Sequence, residues 1–448
     1  MNKKIVIIGA GVAGINAATT LVDGGYPGHL ITIIDKGNNP YDRKPEEVME
    51  GMLGAGGWSD GKLTYHTSIG GQLSKYCGED KAYDLMDKVI ANFTRFHPHP
   101  EQIMKSDPVA EPDFIKPHFG LRLFPVYHIG TDYLHEIGKN WYDYLVDKGV
   151  GFLWNNRVES INFHNKLVNY YYYGNNFEWN LSYDTLIIGA GKSGIDFTQS
   201  LITNNEFKTE AKSSQIGVRF EAPQKYFQKL IDISYDFKLY QKPSDNISIR
   251  TFCTNNNAAY VAVEETYGDI TYNGHAKKGE KYRNDMTNFG IIMEIKGIED
   301  PFEWARKVVG KLNLNDPRYL MSKGHKNVGL YFSPYNTRKP GLTSEGVAVH
   351  TLQVPNLQSL ICALEPEYFM PLWKFITDLE EVFGFGYDYG IYIPEVKYLS
   401  PEPLVNYNDL SLVSDPSVHF VGDSLSARGI TVSGSHGVYV AEAILREG

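Results

Sequence analysis

Apolar and polar positions follow two different rhythms along the chain. Ile5-Val6-Ile7-Ile8 is an unbroken apolar run that enters Gly9-Ala10-Gly11-Val12-Ala13-Gly14 and then a small-residue stretch. This order predicts a strand buried on both faces, a glycine turn and a helix. Ile31-Thr32-Ile33-Ile34-Asp35 predicts a second strand that ends in an acid. Helical spacing of Met86, Val89, Ile90 and Phe93 predicts a helix over 79–96. Leu134, Ile137, Trp141 and Leu145 predict another, capped by Gly130-Thr131-Asp132 and ended by Gly149. Strands are expected at 151–154 and 157–161, then a hairpin-like pair over 167–181, then a returning strand through Leu186-Ile187-Ile188. Helix, strand, antiparallel excursion and returning strand form the second half of a dinucleotide-binding domain. From 215 to 350 the rhythm becomes mainly β, with strands at 247–253, 258–264, 269–272 and 290–295 and a helix at 301–312. A stripe of Leu372, Phe375, Ile376, Leu379 and Phe383 predicts an amphipathic helix over 367–383. The chain closes on a strand at 417–421, Gly422-Asp423 and a helix from about Gly434.

Composition narrows the class without choosing a function. A chain of 448 residues exceeds what one core usually holds, so two or three domains are expected. The net charge of −10 argues against nonspecific binding to nucleic acid or to anionic membranes. No apolar run approaches the roughly 20 residues that cross a bilayer, and Met1-Asn2-Lys3-Lys4 runs straight into the first strand, so no removable leader is expected. Cys77, Cys253 and Cys362 lie far apart, which fits a reducing cytoplasm and no disulfide framework.

The chemistry is concentrated at glycines. In G-x-G-x-x-G, Gly9 permits the tight turn, Gly11 lets backbone approach a pyrophosphate, and Gly14 lets helix and strand pack closely. Free N–H groups and the dipole at the helix start favour the phosphate charge. Asp35, 21 residues beyond Gly14, stands where a carboxylate grips ribose hydroxyls. Gly189-Ala190-Gly191-Lys192-Ser193-Gly194 repeats the motif, but no strand ending in an acid or arginine follows at the right distance. It is therefore expected to close the first sheet beside the same cofactor. The stretch 51–63, with Gly56, Gly57, Ser59, Asp60 and Lys62, suits either backbone laid against a flat ligand or a surface loop. His97-Pro98-His99-Pro100 reads as a solvated loop, and no metal site is expected.

Taken together, these signatures resemble two-domain flavoproteins of glutathione-reductase-type topology. More narrowly, the chain resembles FAD-dependent dehydrogenases of unassigned substrate. The narrower likeness is carried by segments 56–63, 130–132, Ile216-Gly217-Val218-Arg219-Phe220-Glu221, Arg250-Thr251-Phe252-Cys253, Tyr272-Asn273-Gly274-His275, Pro394-Glu395-Val396-Lys397 and Gly422-Asp423. It departs from the family at 254–259, where Thr-Asn-Asn-Asn-Ala-Ala replaces a second cysteine and paired glycines. The resemblance implies an α/β fold: a Rossmann-like FAD-binding domain, with a parallel sheet and antiparallel β-meander, and an inserted, mainly antiparallel substrate domain. The expected boundaries are 1–214 and 415–448 for the FAD-binding domain, 215–350 for the substrate domain and 351–414 for a helix and connection.

It also implies FAD as cofactor, with NAD(P)H as a transient donor, and a small-molecule substrate. The residues expected at the cofactor are Gly9, Gly11, Val12, Ala13, Gly14, Asp35, Lys36, Gly57, Ser59, Lys62, Val158, Ala190, Gly191, Gly422, Asp423, Gly429 and Ile430. By the resemblance Val158 meets the adenine through its main chain and Asp423 holds the ribityl chain. Lys62, or the helix after Ser433, would stabilise a reduced flavin. Cys253 is either a substrate-side thiol or a small buried hydrophobe. His275 and His436, each in a glycine-flanked turn, are either proton donors or structural histidines. The expected activity is hydride transfer between an organic substrate, or NAD(P)H, and the flavin. A flavin monooxygenase is the rival within flavoenzymes. From another class, the rival is an FAD-binding structural or sensing protein without turnover.

Overall fold

The computed structural model describes residues 3–447, except 45–46, 48, 60, 108–111, 174–176, 211–212, 235, 258, 267–268, 277–282, 314–362, 387 and 398–401. The side chains of Ser59, Thr131, His275, 262–266 and 276 are also outside the description. In chain order the principal elements begin with β1 (Ile5–Ile8), α1 (Val12–Asp23), β2 (Ile31–Ile34) and α2 (Glu79–Phe96). They continue with α3 (Leu134–Asp147), β3 (Gly151–Leu153), β4 (Thr185–Ile188), β5 (Ser214–Pro223) and β6 (Ile247–Asn255). Next come β7 (Met286–Ile295), α4 (Pro301–Asn313), α5 (Pro366–Phe383), β8 (Gly390–Lys397), β9 (Asp415–Phe420) and α6 (Ile430–Glu447).

These elements divide into two compact units. The first comprises Met1–Asp107, Phe124–Glu210 and Ser400–Gly448. Its sheet runs β9-β4-β1-β2-β3, all parallel, with Ser411–Leu412 pairing antiparallel on the β9 edge. β1 and β4 are buried at every position, which is why their sequences are continuous apolar runs rather than alternating ones. An antiparallel meander of Asn156–Asn162, Leu167–Tyr172 and Glu178–Ser182 follows β3. α1 and α6 pack at close range, because Gly437 leaves room for the Ala13 carbonyl: a Cβ there would lie 2.0 Å from that oxygen. α3 contributes Trp141, fully buried, whose indole N–H donates to Thr19 Oγ1 at 2.7 Å.

The second unit comprises Pro108–Leu123 and Ala211–Leu399. Its antiparallel sheet runs β8-β5-β7-β6, then Lys238–Gln241 and Gly120–Arg122. One face carries Ile216, Val218, Phe220, Phe289, Ile291 and Met293, which form a core with Val308, Val309 and Leu312 of α4 and Leu372, Phe375, Ile376 and Leu379 of α5. A hairpin of Ala259–Thr266 and Asp269–Ala276 belongs to the same unit.

Several boundaries differ from those read in the sequence. Residues 112–123 join the second unit, because Gly120–Arg122 finds its hydrogen-bonding partner in Lys238–Gln241. That pairing spans more than a hundred residues and leaves no local trace. α5 and β8 also belong to this unit and not to a connection. The helix expected to start with a Gly130-Thr131-Asp132 cap begins at Leu134, after a 3-10 turn over Thr131–Tyr133. The terminal helix starts at Ile430, four residues before Gly434, because Ile430, Thr431 and Val432 are buried and continue the helical stripe. His97 is buried rather than solvated: Nε2 bonds the Ile129 carbonyl at 2.9 Å, and Nδ1 accepts the His99 N–H at 2.8 Å.

Candidate cofactor cleft and polar sheet face

In the first unit, β1, β4 and β9 end side by side, and each is followed by glycine within two residues. Gly9 has φ +100° and sits so close to Gly189 that a Cβ would lie 2.4 Å from its carbonyl oxygen. Gly14 packs its Cα on the turn, where a Cβ would be 2.1 Å from Gly9 O. Gly422, at φ +65°, lies against Ala13, with a built Cβ 3.1 Å from that side chain. Gly189 N–H donates to Ile8 O, and Val421 N–H and Ser424 Oγ both donate to Ile188 O. The second glycine motif therefore closes the same sheet as the first. By contrast, a Cβ on Gly11, Gly191 or Gly429 would meet no atom within 4 Å. These three glycines border open space, which is where a ligand needs backbone without side chains. Gly11 is also the N-cap of α1, whose first N–H groups have no intrahelical acceptor.

A shallow cleft adjoins these turns, lined by Ala190, Ile195, Thr198, Glu402, Asp423, Ser424, Ser426 and Arg428. Asp423 accepts from Arg428 Nε at 3.2 Å. Asp35 is half-buried and already engaged: Oδ2 accepts Ala10 N–H, and Oδ1 accepts Gly37 and Gly51 N–H, all within 2.9 Å. Burial raises its pKa against those three N–H groups and Arg43, which favour the anion. Asp35 thus ties the β1–α1 turn to the loops after β2, with acceptor capacity left on Oδ2. Lys36 pairs with Glu50 at 2.7 Å and donates to Ser193 O, joining the β2 end to the second glycine turn. Val158 is buried in the meander at a register break, and Asn156 N–H donates to Asp35 O.

The glycine-rich stretch is not an open surface loop. Leu53 N–H donates to Ala10 O, residues Gly56–Ser59 form one helical turn, and a Cβ on Gly56 would lie 3.0 Å from Ile430. Gly57 sits just as tightly, its Cβ position 2.3 Å from Leu53. Ser59's side chain and Asp60 lie outside the described residues. Sequence reasoning overlooked what holds this loop. Arg43, buried, donates to the carbonyls of Glu47, Met52 and Gly54 at 2.9, 2.6 and 3.2 Å. Its guanidinium lies 4.1 Å from the Trp58 ring, which also stacks on His135 at 3.6 Å. Burial, then the charges of Arg43 and Lys139, lower the His135 pKa. Burial also lowers Arg43 to about 10.

The residues expected to be catalytic are distributed over both units. Lys62 pairs across β-strands with His128, whose pKa is lowered by burial and then by Lys62. His436 is not in a turn; it lies inside α6, fully buried, with neither ring nitrogen hydrogen-bonded. Burial takes its pKa down to about 3, so the ring is neutral near pH 7. Its ring meets the edge of Tyr76 at 5.6 Å. Cys253 is exposed, at φ +49° beside a bulge in β6, and so is not the small buried hydrophobe that strand alternation suggests. His275 is in the hairpin, but its side chain lies outside the described residues.

The second unit holds a polar cluster that the sequence brought out only as separate segments. Arg219, fully buried on the face of β5 opposite the core, donates from Nη2 to Glu395 at 2.7 Å and Asn273 at 2.9 Å. Nη1 donates to Cys253 O at 2.9 Å. Gly274 is required there, because a Cβ would lie 2.0 Å from Asn288 Oδ1 and 2.7 Å from Arg219 Nη1. Four of the segments that carry the family resemblance thus meet on one sheet face. Elsewhere in this unit, His118, Asp378 and Glu381 come together. Asp378 is already held by Lys374 at 2.8 Å and Gln241 at 2.7 Å, so an ammonium occupies the place of a cation.

No protein-family model matches the chain, and no curated protein matches it. Among solved structures, it is similar to a flavoprotein/dehydrogenase from Cytophaga hutchinsonii, at 11% identity and TM-score 0.40, covering 99% of this chain and 79% of that one. It is also similar to the flavin-dependent brominase Bmp2, at 12% identity and TM-score 0.37, covering 100% and 79%. A third is halogenase PltM, at 12% identity and TM-score 0.37, covering 100% and 68%. With scores of this size, any functional reading rests on the chain's own residues.

Proposed function

We propose that the chain binds FAD in the first unit and acts as a flavin-dependent oxidoreductase on a small organic substrate. The observation that carries this reading is the convergence of Gly9-Gly11, Gly189-Gly191 and Gly422-Asp423 at the ends of neighbouring parallel strands. One nucleotide needs the first of these; a cofactor touched by segments from both chain ends is longer. Gly11 and the start of α1 would take the pyrophosphate, and Asp35 the ribose next to it. Asp423, with Arg428 as its partner, would take the polyol, and Gly429-Ile430 at the start of α6 would face the electron-accepting ring. Bound FAD supplies two-electron redox chemistry. The chain's own part is to orient the cofactor, exclude water and supply a positive environment from Lys62 and the α6 N-terminus. NAD(P)H is proposed as electron donor, and hydride transfer as the reaction; oxygen-dependent monooxygenation is the second reading.

Anaerobic mixing tests the assignment. Bleaching of the flavin band by NADH, NADPH or an organic donor is expected. If the reduced protein then consumes oxygen only when a substrate is present, the monooxygenase reading replaces the dehydrogenase one. A flavin that no nicotinamide or organic donor bleaches would leave a cofactor without turnover and contradict the enzyme reading.

A further inference from the structure

The charged face of the second unit's sheet is built around two rings laid over two glycines. In the β6–β7 register Phe252 stands opposite Gly290, and Tyr240 stands between Arg250 and Gly120. A Cβ on Gly290 would come within 2.1 Å of the Phe252 ring, and one on Gly120 within 2.2 Å of the Tyr240 ring. Cations gather on both rings. Lys397 Nζ lies 3.8 Å from the Phe252 centroid, Arg219 lies 5.5 Å and Arg250 5.8 Å from it, and Arg122 is 4.9 Å from Tyr240.

The nearby acids leave the guanidinium groups of Arg250 and Arg122 without a bonded acceptor among the described residues. Glu395 is taken by Arg219 at 2.7 Å, and Asp236 by Lys238 at 2.5 Å. Glu294, which accepts from Ser213 at 2.6 Å, acts on Arg250 from a distance, as does Asp236, while Arg122 opposes both. Among the described residues, neither Arg250 nor Arg122 has a hydrogen-bond partner. A guanidinium offers five donors in a planar fork that matches a carboxylate, and a half-buried one without an acceptor is an incomplete site.

We propose that Arg250, flanked by Arg122 and Lys397, recognises the carboxylate of a small organic acid, with Tyr240 as an apolar wall. As an anion site this stands alone; that the acid is the enzyme's substrate rests on the flavin reading above. Tyr240 is 38% exposed, so part of this wall is reached by solvent.

Cys253 offers a reporter. Its thiol is exposed, the residue follows Phe252, and a thiolate there would favour the charged form of Arg250. Alkylation of Cys253 by iodoacetate and by neutral iodoacetamide is followed by peptide mass spectrometry. In both reactions the thiolate sulfur displaces iodide from carbon, and the thiol proton goes to buffer. A change in thiolate fraction scales both rates alike, so their ratio isolates attraction for the anionic reagent. The ratio is expected to exceed that of free cysteine by about tenfold, to fall most of the way to the free-cysteine value in Arg250→Gln and to be only partly retained in Arg250→Lys. Benzoate, but not benzamide, should protect Cys253, and Arg250→Gln should abolish that protection. A wild-type ratio equal to that of free cysteine would overturn the site. Protection by benzamide equal to that by benzoate, or by inorganic phosphate and not benzoate, would overturn the carboxylate assignment. The assay needs no flavin, so a protein that lacks FAD still gives a readable answer.

Discussion

Gly11 and Gly14 are three residues apart and face opposite constraints. A Cβ at Gly14 collides with backbone, whereas one at Gly11 enters open space. Gly14→Ala is therefore expected to destabilise the protein by about 2–4 kcal/mol in urea unfolding, since the Gly9 carbonyl cannot move without the turn. Gly11→Ala should cost under about 1 kcal/mol of stability yet weaken FAD binding at least tenfold. Equal losses of stability in the two variants would contradict these separate roles. His436 makes a prediction in pH. Its folded pKa, about 3, lies below the usual histidine value of 6.5, so the unfolded chain binds more protons between those values. Its contribution is complete above about pH 6.5 and is lost as pH falls toward 3, by up to about 5 kcal/mol. His436→Leu should flatten the stability profile between pH 4 and 6.5, as urea midpoints at several pH values would reveal. The variant should also gain stability at pH 7, because both ring nitrogens are buried without partners.

At the scale of elements, the loop from Arg43 to Trp58 is fastened by one side chain. Arg43 satisfies three carbonyls and stacks on Trp58, so Arg43→Ala leaves those carbonyls without their donor and the ring without its cation. A loss of about 2–4 kcal/mol is expected, with faster proteolysis confined to residues 43–58. Arg43→Lys should recover little of it, because an ammonium cannot reproduce the three-way fork. Stability of the lysine variant equal to wild type would contradict that account. Arg43 was not legible in the sequence, where it sits in a polar, proline-punctuated connection; its acceptors are loop carbonyls that no side-chain pattern marks. β1, β2, α2 and α5 were legible because burial on one or both faces imposes a period on the residues themselves. The start of α6 was misplaced because Gly429 and Gly434 compete as boundaries. Burial of Ile430 and Val432 decides for the first.

For the molecule as a whole, the chain passes between its two units at residues 107–108, 123–124, 210–211 and 399–400. The sequence reading found two of these crossings only approximately and missed the excursion of 108–123, whose strand is recruited by a partner more than a hundred residues away. It likewise held Arg219, Arg250, Glu395 and Lys397 as separate motif segments. Only the sheet register puts them on one face. The glycine turns, by contrast, announced themselves, because each demands a backbone that other residues adopt poorly. If the first unit binds FAD, saturating cofactor at one hundred times its dissociation constant should stabilise the folded state by about 2.7 kcal/mol. The most direct measurement is the visible spectrum of the purified protein before and after incubation with FAD and removal of the excess. Flavin bands near about 370 and 450 nm, retained at one FAD per chain and diminished in Gly11→Ala, are the predicted result. A colourless wild-type protein that retains no FAD would contradict the account.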